Sequence, residues 1–598
     1  MSYALTMPAK TPVDTGSIRV AIRPQSLKDR AAVRGPRGQA TCNRHPRFPR
    51  VGAERGMRTC LKQAREAMTK SKYQPTEREQ LVLDEVENPR YDRQIVNGLE
   101  PFMSGSAPED FRTFYTEKEL SDLGKLRGTD RDVEVRMPVK LTRHYFEMAK
   151  SSQALQKLVK ASPDETVDLE GDPDPANQLD YSPIEGLLHK YEMALLYVIS
   201  TCSAHCRFCY REELIGRKEI ERSDGTVKKK GLAQVGEIVE YIRSHNDAVA
   251  SNGGTHPETG RPKLREILLS GGDPMVLPNS KLAGWFTALA EAGAEAIRVG
   301  TKELAFYPDR FDDAFFAMID EFHRVYPDVS MRLMIHFNHP DEFLLKDSDG
   351  QYIADEKGFL QWRPNTRRAV DSLVERGWIS VENQTPIIAG VNDDPDALRI
   401  LQRTLKSVGV ENHYFFCGRN IVAYKAFNVP IETAWQLLNE SQRGLSGVES
   451  HARLTIVHYK GKTEVSAVTD EPIAGLPGAE KGVVIFKVLR NPAHAPDRGK
   501  VTIVGRNPEA LWFDEYEDRV LLDEAGLFSR QRPSGVTIPR SRSRHHGSPK
   551  GRTSPQARPA PLMAVVASNE RRPHPKSPAS GPAPAVQDAQ ARAAGAES

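Results

Sequence analysis

Cys202, Cys206 and Cys209 stand at C-x3-C-x2-C spacing in the stretch Cys202-Ser203-Ala204-His205-Cys206-Arg207-Phe208-Cys209. Three thiolates in one short loop can face one side and hold a polynuclear metal centre. A 4Fe–4S cubane has four irons, so three protein ligands leave one iron open. An open iron points to chemistry at the cluster and not to electron carriage alone. The plainer alternatives are a structural zinc site and unrelated free thiols. Structural zinc asks for a fourth protein ligand at matched spacing, and no second cysteine pair lies nearby.

The surrounding pattern places this loop. Leu195–Ile199, the buried-strand run ahead of it, is followed by runs at 266–269, 296–300, 332–337, 379–383 and 412–416. Helical spacing falls between them, at 234–244, 281–292, 312–325, from 366, after Asp394-Pro395, and at 431–442. Alternating strands and helices predict an α/β fold with a parallel sheet, here a partial (β/α)6 TIM-type barrel, with a doubly wound open sheet as the alternative. Polar and glycine-rich positions recur where strands end: the cysteines, Ser270–Pro274, Gly300, His336, Asn383-Gln384 and Cys417-Gly418. In barrel-type folds those ends form the active-site rim. Residues 67–190 are expected to be mainly helical, with long helices over 109–125 and 141–160. Residues 191–445 would form the partial barrel. Residues 446–529 carry further strand-like runs at 454–457 and 482–486.

Charge divides the chain unevenly. Residues 1–66 hold 14 Lys/Arg against 4 Asp/Glu, and residues 530–598 hold 12 against 3, so the middle is acidic although the 598-residue whole is +3. An acidic folded part argues against a nucleic-acid-binding core. Both tails read as disordered, being basic and rich in Pro, Gly or Ala; Met57 and Met68 offer alternative starts, and the apolar run 562–566 is too isolated to build a core. Six cysteines, three of them in one loop, make no disulfide framework and fit a reducing, cytoplasmic setting. No apolar run reaches the length of a membrane span, and the N-terminus lacks a secretory h-region.

Seven stretches in order resemble the lysine 2,3-aminomutase family of the radical S-adenosylmethionine (SAM) superfamily: HKY before the first strand, CSAHCRFCYR, LLSGGDP, IRVG, HFNHPDE, NQTPIIAGVNDD and VHYKGKTEV. The resemblance spans about residues 135–470. It implies that Cys202, Cys206 and Cys209 bind the cluster and that SAM chelates its open iron. Cleavage of SAM would give a 5′-deoxyadenosyl radical. Ser270, Gly271, Gly272 and Asp273 would cradle the methionyl amine, with Phe208, Arg298, Gly300, His336 and Gln384 around SAM. The family also uses pyridoxal phosphate (PLP) as an aldimine on a lysine, and Lys462 matches that lysine. Lys190 and Tyr191 fall where a phosphate-contacting arginine is found. Arg211 matches the arginine for the substrate α-carboxylate. A flavodoxin- or ferredoxin-type reductant is implied, and self-association stays open.

Four departures qualify the resemblance. Only Gly461 remains of the several glycines before the PLP lysine, and a second phosphate-contacting arginine has no counterpart in Glu192-Met193-Ala194. The aspartates that hold a lysine substrate's distal ammonium fall at Gly418 and His458. Without them a buried distal cation would be poorly paired, so L-lysine is not the expected substrate; Arg419 and His458 favour an acidic or polar side chain. The family's extra zinc cysteines are absent, so no zinc is expected. The expected activity is 2,3-migration of an amino group on a small-molecule amino-acid substrate. The alternatives are radical SAM chemistry without PLP and a non-enzymatic iron–sulfur protein.

Overall fold

The computed structural model describes residues 95–528, with short intervals outside the description, among them 128–136 and 212–218. The two basic tails, Met57, Met68 and the run 562–566 lie outside the described residues.

The central sheet has twelve strands in sequential order: β1 (Leu187–Leu188), β2 (Met193–Ile199), β3 (Glu266–Gly271), β4 (Ala296–Thr301), β5 (Ser330–Ile335), β6 (Ile379–Pro386), β7 (Glu411–Phe416), β8 (Arg453–His458), β9 (Gly461–Val468), β10 (Val483–Arg490), β11 (Val501–Gly505) and β12 (Val520–Asp523). Strands β2 to β8 pair parallel throughout. The flanking β1 and the run β9 to β12 pair antiparallel. The sheet is open, since β1 and β12 end it without pairing to each other. The α/β fold therefore holds with seven parallel strands where six are expected. The extra one is β8, whose Arg453–Thr455 pairs with Tyr414–Phe416 across residue 446.

Helices join the parallel strands, and each has a local cause. Asp312 caps Asp313–Val325 by accepting from the Phe315 N–H at 2.8 Å. That helix buries Phe315, Phe316, Met318, Ile319 and Phe322, the stripe expected of a helix laid on a sheet. Asp394 caps Pro395–Ser407, with Pro395 in the first turn, where its missing N–H is harmless. Along each strand alternate residues face opposite sides. On β3, Leu268 and Ser270 line a central cavity while Ile267 and Leu269 are fully buried elsewhere.

Before the sheet, the long helices expected at 109–125 and 141–160 are each broken. The first splits into Glu109–Arg112 and Glu117–Arg127, the second into the short strand Lys140–Thr142 and the helices Arg143–Ala149 and Gln153–Val159. Hydroxyls cause the breaks. Thr116 and Glu119 exchange capping bonds, and Thr142 and Ser152 accept from the N–H groups of Tyr145 and Leu155. Ser and Thr compete for backbone bonds and start helices better than they continue them.

Candidate active site

The cysteine loop leaves the end of β2 and is held from behind by the N-terminal region. The His205 N–H donates to the Lys140 carbonyl at 2.9 Å, and the Arg207 N–H to the Leu158 carbonyl at 2.8 Å. Leu158 lies in the last turn of its helix, where carbonyls lack intrahelical partners. The Arg207 side chain turns away from the cavity and is 1 % exposed against Glu165 at 7 %. Its Nε donates to Glu165 Oε1 at 2.9 Å, its Nη2 to Oε2, and its Nη1 to the Met137 carbonyl at 2.8 Å. Ser203 donates to the buried Glu303 carboxylate, and the Tyr424 hydroxyl to the Cys209 carbonyl. These contacts set Cys202, Cys206 and Cys209, none of them in a disulfide, on one cavity wall. Burial pushes the Cys202 and Cys206 thiols far up, and the Lys302 ammonium draws Cys206 back down. Among the described residues no three His, Cys, Asp or Glu side chains converge on one ion. A cubane needs no such convergence, because each thiolate binds a different iron. Three thiols on one wall, with Cys202 and Cys206 pushed toward the protonated form by burial until a metal replaces the proton, fit that donor set.

Opposite the loop, the end of β3 is fastened to the end of β2. The Gly272 N–H donates to the Ile199 carbonyl at 2.6 Å, and the Asp273 N–H to that of Thr201 at 2.9 Å. A Cβ on Gly271, at φ +111°, would lie 2.3 Å from the Ile199 oxygen, and one on Gly272 2.2 Å from the Thr201 oxygen. These glycines are thus required by protein backbone as well as by any ligand. The Asp273 carboxylate accepts from the Thr301 hydroxyl and from the N–H groups of Met275 and Lys302. It braces the cradle. At Gly300 the nearest atom to an added Cβ is 3.6 Å away, so that position has slack.

Lys462 enters from the far side. His458 pairs with Gly461, so Tyr459-Lys460 make a two-residue turn between β8 and β9. Gly461 takes φ +146°, and a Cβ there would sit 2.0 Å from the Arg490 carbonyl. One glycine suffices because the loop has shrunk to a hairpin. The Lys462 ammonium lies 4.3 Å from the Tyr414 ring centroid and 5.3 Å from that of Phe416. Burial, then Arg490, Arg419 and Arg298, bring it down to about 7. A lysine so placed is largely neutral near physiological pH, as a nucleophilic amine must be.

One cavity of about 400 Å³ joins these parts. Its wall includes the three cysteines, Phe208, Ser270–Asp273, Arg298, Gly300, His336, Gln384, Lys190, Tyr191, Arg211, Arg419 and Lys462. Several contacts are already made. Arg298 pairs with Glu266 at 2.6 Å, Arg211 donates to the Ser270 hydroxyl, and Arg419 lies 4.2 Å over the Tyr210 ring. His336, held well below its usual range by burial, packs edge-on to Phe208.

Two expectations need correction. His458 does not reach the cavity; it is fully buried, its ring stacked on Phe513 at 4.3 Å, and Val457 lines the wall instead. Adjacent strand residues face opposite sides, so a one-residue offset exchanges them. Lys190 faces the cavity, but its ammonium donates to the carbonyls of Ala176 at 2.6 Å, His458 at 3.1 Å and Tyr459 at 3.4 Å. An ammonium has three donors, so none is left for a phosphate. The wall also includes Tyr414, Phe416, Asn428 and Arg490, which sequence reasoning passed over. Only the pairing of Arg490 with Lys462 brings that arginine into view.

A sheet whose parallel strand ends open onto a three-cysteine loop and a glycine cradle defines a radical SAM site. The chain is 33% identical over 361 residues to a putative L-lysine 2,3-aminomutase of Aquifex aeolicus, covering 60% of this chain and 81% of that protein. It is 28% identical over 273 residues to the L-lysine 2,3-aminomutase of Acetoanaerobium sticklandii, covering 45% of this chain and 54% of that protein. It is 24% identical over 286 residues to the glutamate 2,3-aminomutase of Clostridioides difficile, covering 48% of this chain and 56% of that protein. No family model matches. The chain belongs to the lysine 2,3-aminomutase family of radical SAM enzymes.

Proposed function

We propose that the protein moves an amino group between adjacent carbons of an α-amino acid whose side chain is anionic or polar, not cationic. The charge of the cavity wall carries this reading. Among the described lining residues Asp273 is the only carboxylate, against Lys190, Arg211, Arg298, Lys302, Arg419, Lys462 and Arg490. Asp273 already accepts three donors. A distal ammonium would therefore enter a buried site with no free counter-charge, which is costly. At Gly418 an added Cβ would lie 2.0 Å from the Asn428 amide oxygen, so Asn428 fills the space a carboxylate would need.

In this reading Cys202, Cys206 and Cys209 hold a 4Fe–4S cluster, and SAM bound at its open iron supplies the hydrogen-abstracting radical. PLP on Lys462 supplies the carrier for the migrating amino group. Arg211 orients the α-carboxylate with its planar fork, and Arg419 meets the side chain. Phe208, His336 and the β3 cradle exclude water around SAM. A flavodoxin- or ferredoxin-type protein delivers the electron.

The test is anaerobic reconstitution with SAM, PLP and reductant, followed by mass spectrometry of an amino-acid panel. β-Amino products from glutamate or neutral polar amino acids are expected. Lysine turned over far better than glutamate would overturn the substrate assignment.

A further inference from the structure

Among the described residues that line the cavity, Arg490 is a cation that neither the cluster, the SAM cradle nor the substrate contacts use. Arg490 ends β10 directly across from Lys462 in the antiparallel ladder, and its side chain lines the cavity. Its guanidinium lies 5.6 Å from the Tyr191 ring and makes a loose 3.4 Å ion pair with the half-exposed Glu192. Beside it, Tyr191 also lines the cavity, and its buried hydroxyl has no hydrogen-bond partner among the described residues. A buried orphan hydroxyl next to an arginine fork with donors to spare is a site lacking its acceptor.

Of the positions where the resemblance implies a phosphate, two cannot serve. The Lys190 ammonium is saturated by three carbonyls. Ala194 offers no polar atom and is fully buried. We propose that Arg490, with the Tyr191 hydroxyl, binds the phosphate monoester of a cofactor carried on Lys462. This rests on the reading that Lys462 carries PLP. The chemistry of that cofactor fits the placement. Its aldehyde and its phosphate-bearing arm stand on neighbouring ring carbons, so a cation sharing the surroundings of Lys462 is well placed for the phosphate. When the Lys462 nitrogen bonds to the aldehyde carbon, the oxygen leaves as water, and the phosphate stays as a dianion to be paired. The planar fork matches two phosphate oxygens at once.

The discriminating probe is pyridoxal, the same aldehyde without the phosphate. Cofactor-free full-length protein is titrated with PLP and with pyridoxal, read by the long-wavelength absorption of the lysine adduct and located by borohydride trapping and mass spectrometry. Wild type should prefer PLP. Titrated above pH 9, where the Lys462 amine is neutral with or without the Arg490 charge, Arg490→Gln should weaken PLP relative to pyridoxal by about tenfold or more, as expected for loss of a charged pair. Arg490→Lys, which keeps charge but loses the fork, should fall between, so a folding failure of Arg490→Gln does not end the test. Unchanged PLP affinity in both variants, or equal losses for PLP and pyridoxal, overturns the assignment. If wild type forms no adduct that Lys462→Ala abolishes, the PLP reading itself fails. An adduct with unaltered selectivity in the Arg490 variants sinks the phosphate site alone.

Discussion

Glu165→Ala should loosen the cluster without touching it. Glu165 lies in the N-terminal helical region, and its carboxylate accepts from both Nε and Nη2 of Arg207. Arg207 sits between two of the cysteines, Cys206 and Cys209. Truncating Glu165 removes the carboxylate from a guanidinium that is 1 % exposed. Breaking a buried pair from one side costs about 3–5 kcal/mol. Global unfolding need not absorb all of it, since the loop can open locally and hydrate the arginine. At about 1.4 kcal/mol per factor of ten, loop opening should become up to about two to three and a half powers of ten more frequent. The assay is anaerobic reconstitution followed by chelator challenge, reading iron per chain against time, with urea unfolding alongside. Glu165→Ala should lose iron far faster than wild type. Arg207→Leu with Glu165→Leu should recover most of the loss, because removing both partners leaves no bare charge. Iron retained by Glu165→Ala at the wild-type rate, with an unchanged urea midpoint, would refute the claim that this pair clamps the loop.

Other outcomes follow from the same geometry. The rate of Lys462 adduct formation should climb about tenfold per pH unit below 7 and level off above it, since only the neutral amine attacks; a climb continuing toward pH 10 would mean an ordinary lysine. Gly272→Ala should cost at least about 1–3 kcal/mol in urea unfolding, because its Cβ meets Thr201 backbone and not a yielding side chain. Gly300→Ala should be tolerated on the same measurement. Gly418→Asp alone should not confer lysine turnover, whereas Gly418→Asp with Asn428→Ala should raise the lysine-to-glutamate ratio, measured on the amino-acid panel.

Much of this was legible in the chain, for a physical reason. Strands β2 to β7 and their helices are marked by local signals: buried β-branched runs, Asp caps and Pro in first turns. Glycines packed against backbone, such as Gly271 and Gly272, also stand out. What stayed hidden depends on partners far away in sequence. Arg490 reads as the end of an unremarkable strand until its pairing with Lys462 is known. His458 and Val457 exchange faces on a single residue of register. Lys190 reads as a phosphate ligand until three carbonyls from other segments are found around it. The split helices at Thr116, Thr142 and Ser152 were marked locally, but apolar spacing across them masks the caps.

Lys190 has one more consequence. The first and last parallel strands, β2 and β8, are not hydrogen-bonded to each other. Instead Lys190, just ahead of β2, reaches the carbonyls at the end of β8, and Arg490 reaches Glu192 beside it. The wall is thus buttoned here, where elsewhere it is stitched by whole ladders. Buttons part at the cost of a few bonds, so this seam is the place where the wall can gape to admit a ligand without unpairing the sheet. Amide exchange at 189–193 and 458–462 should outpace that of β3 to β6, and should slow when the cavity is filled.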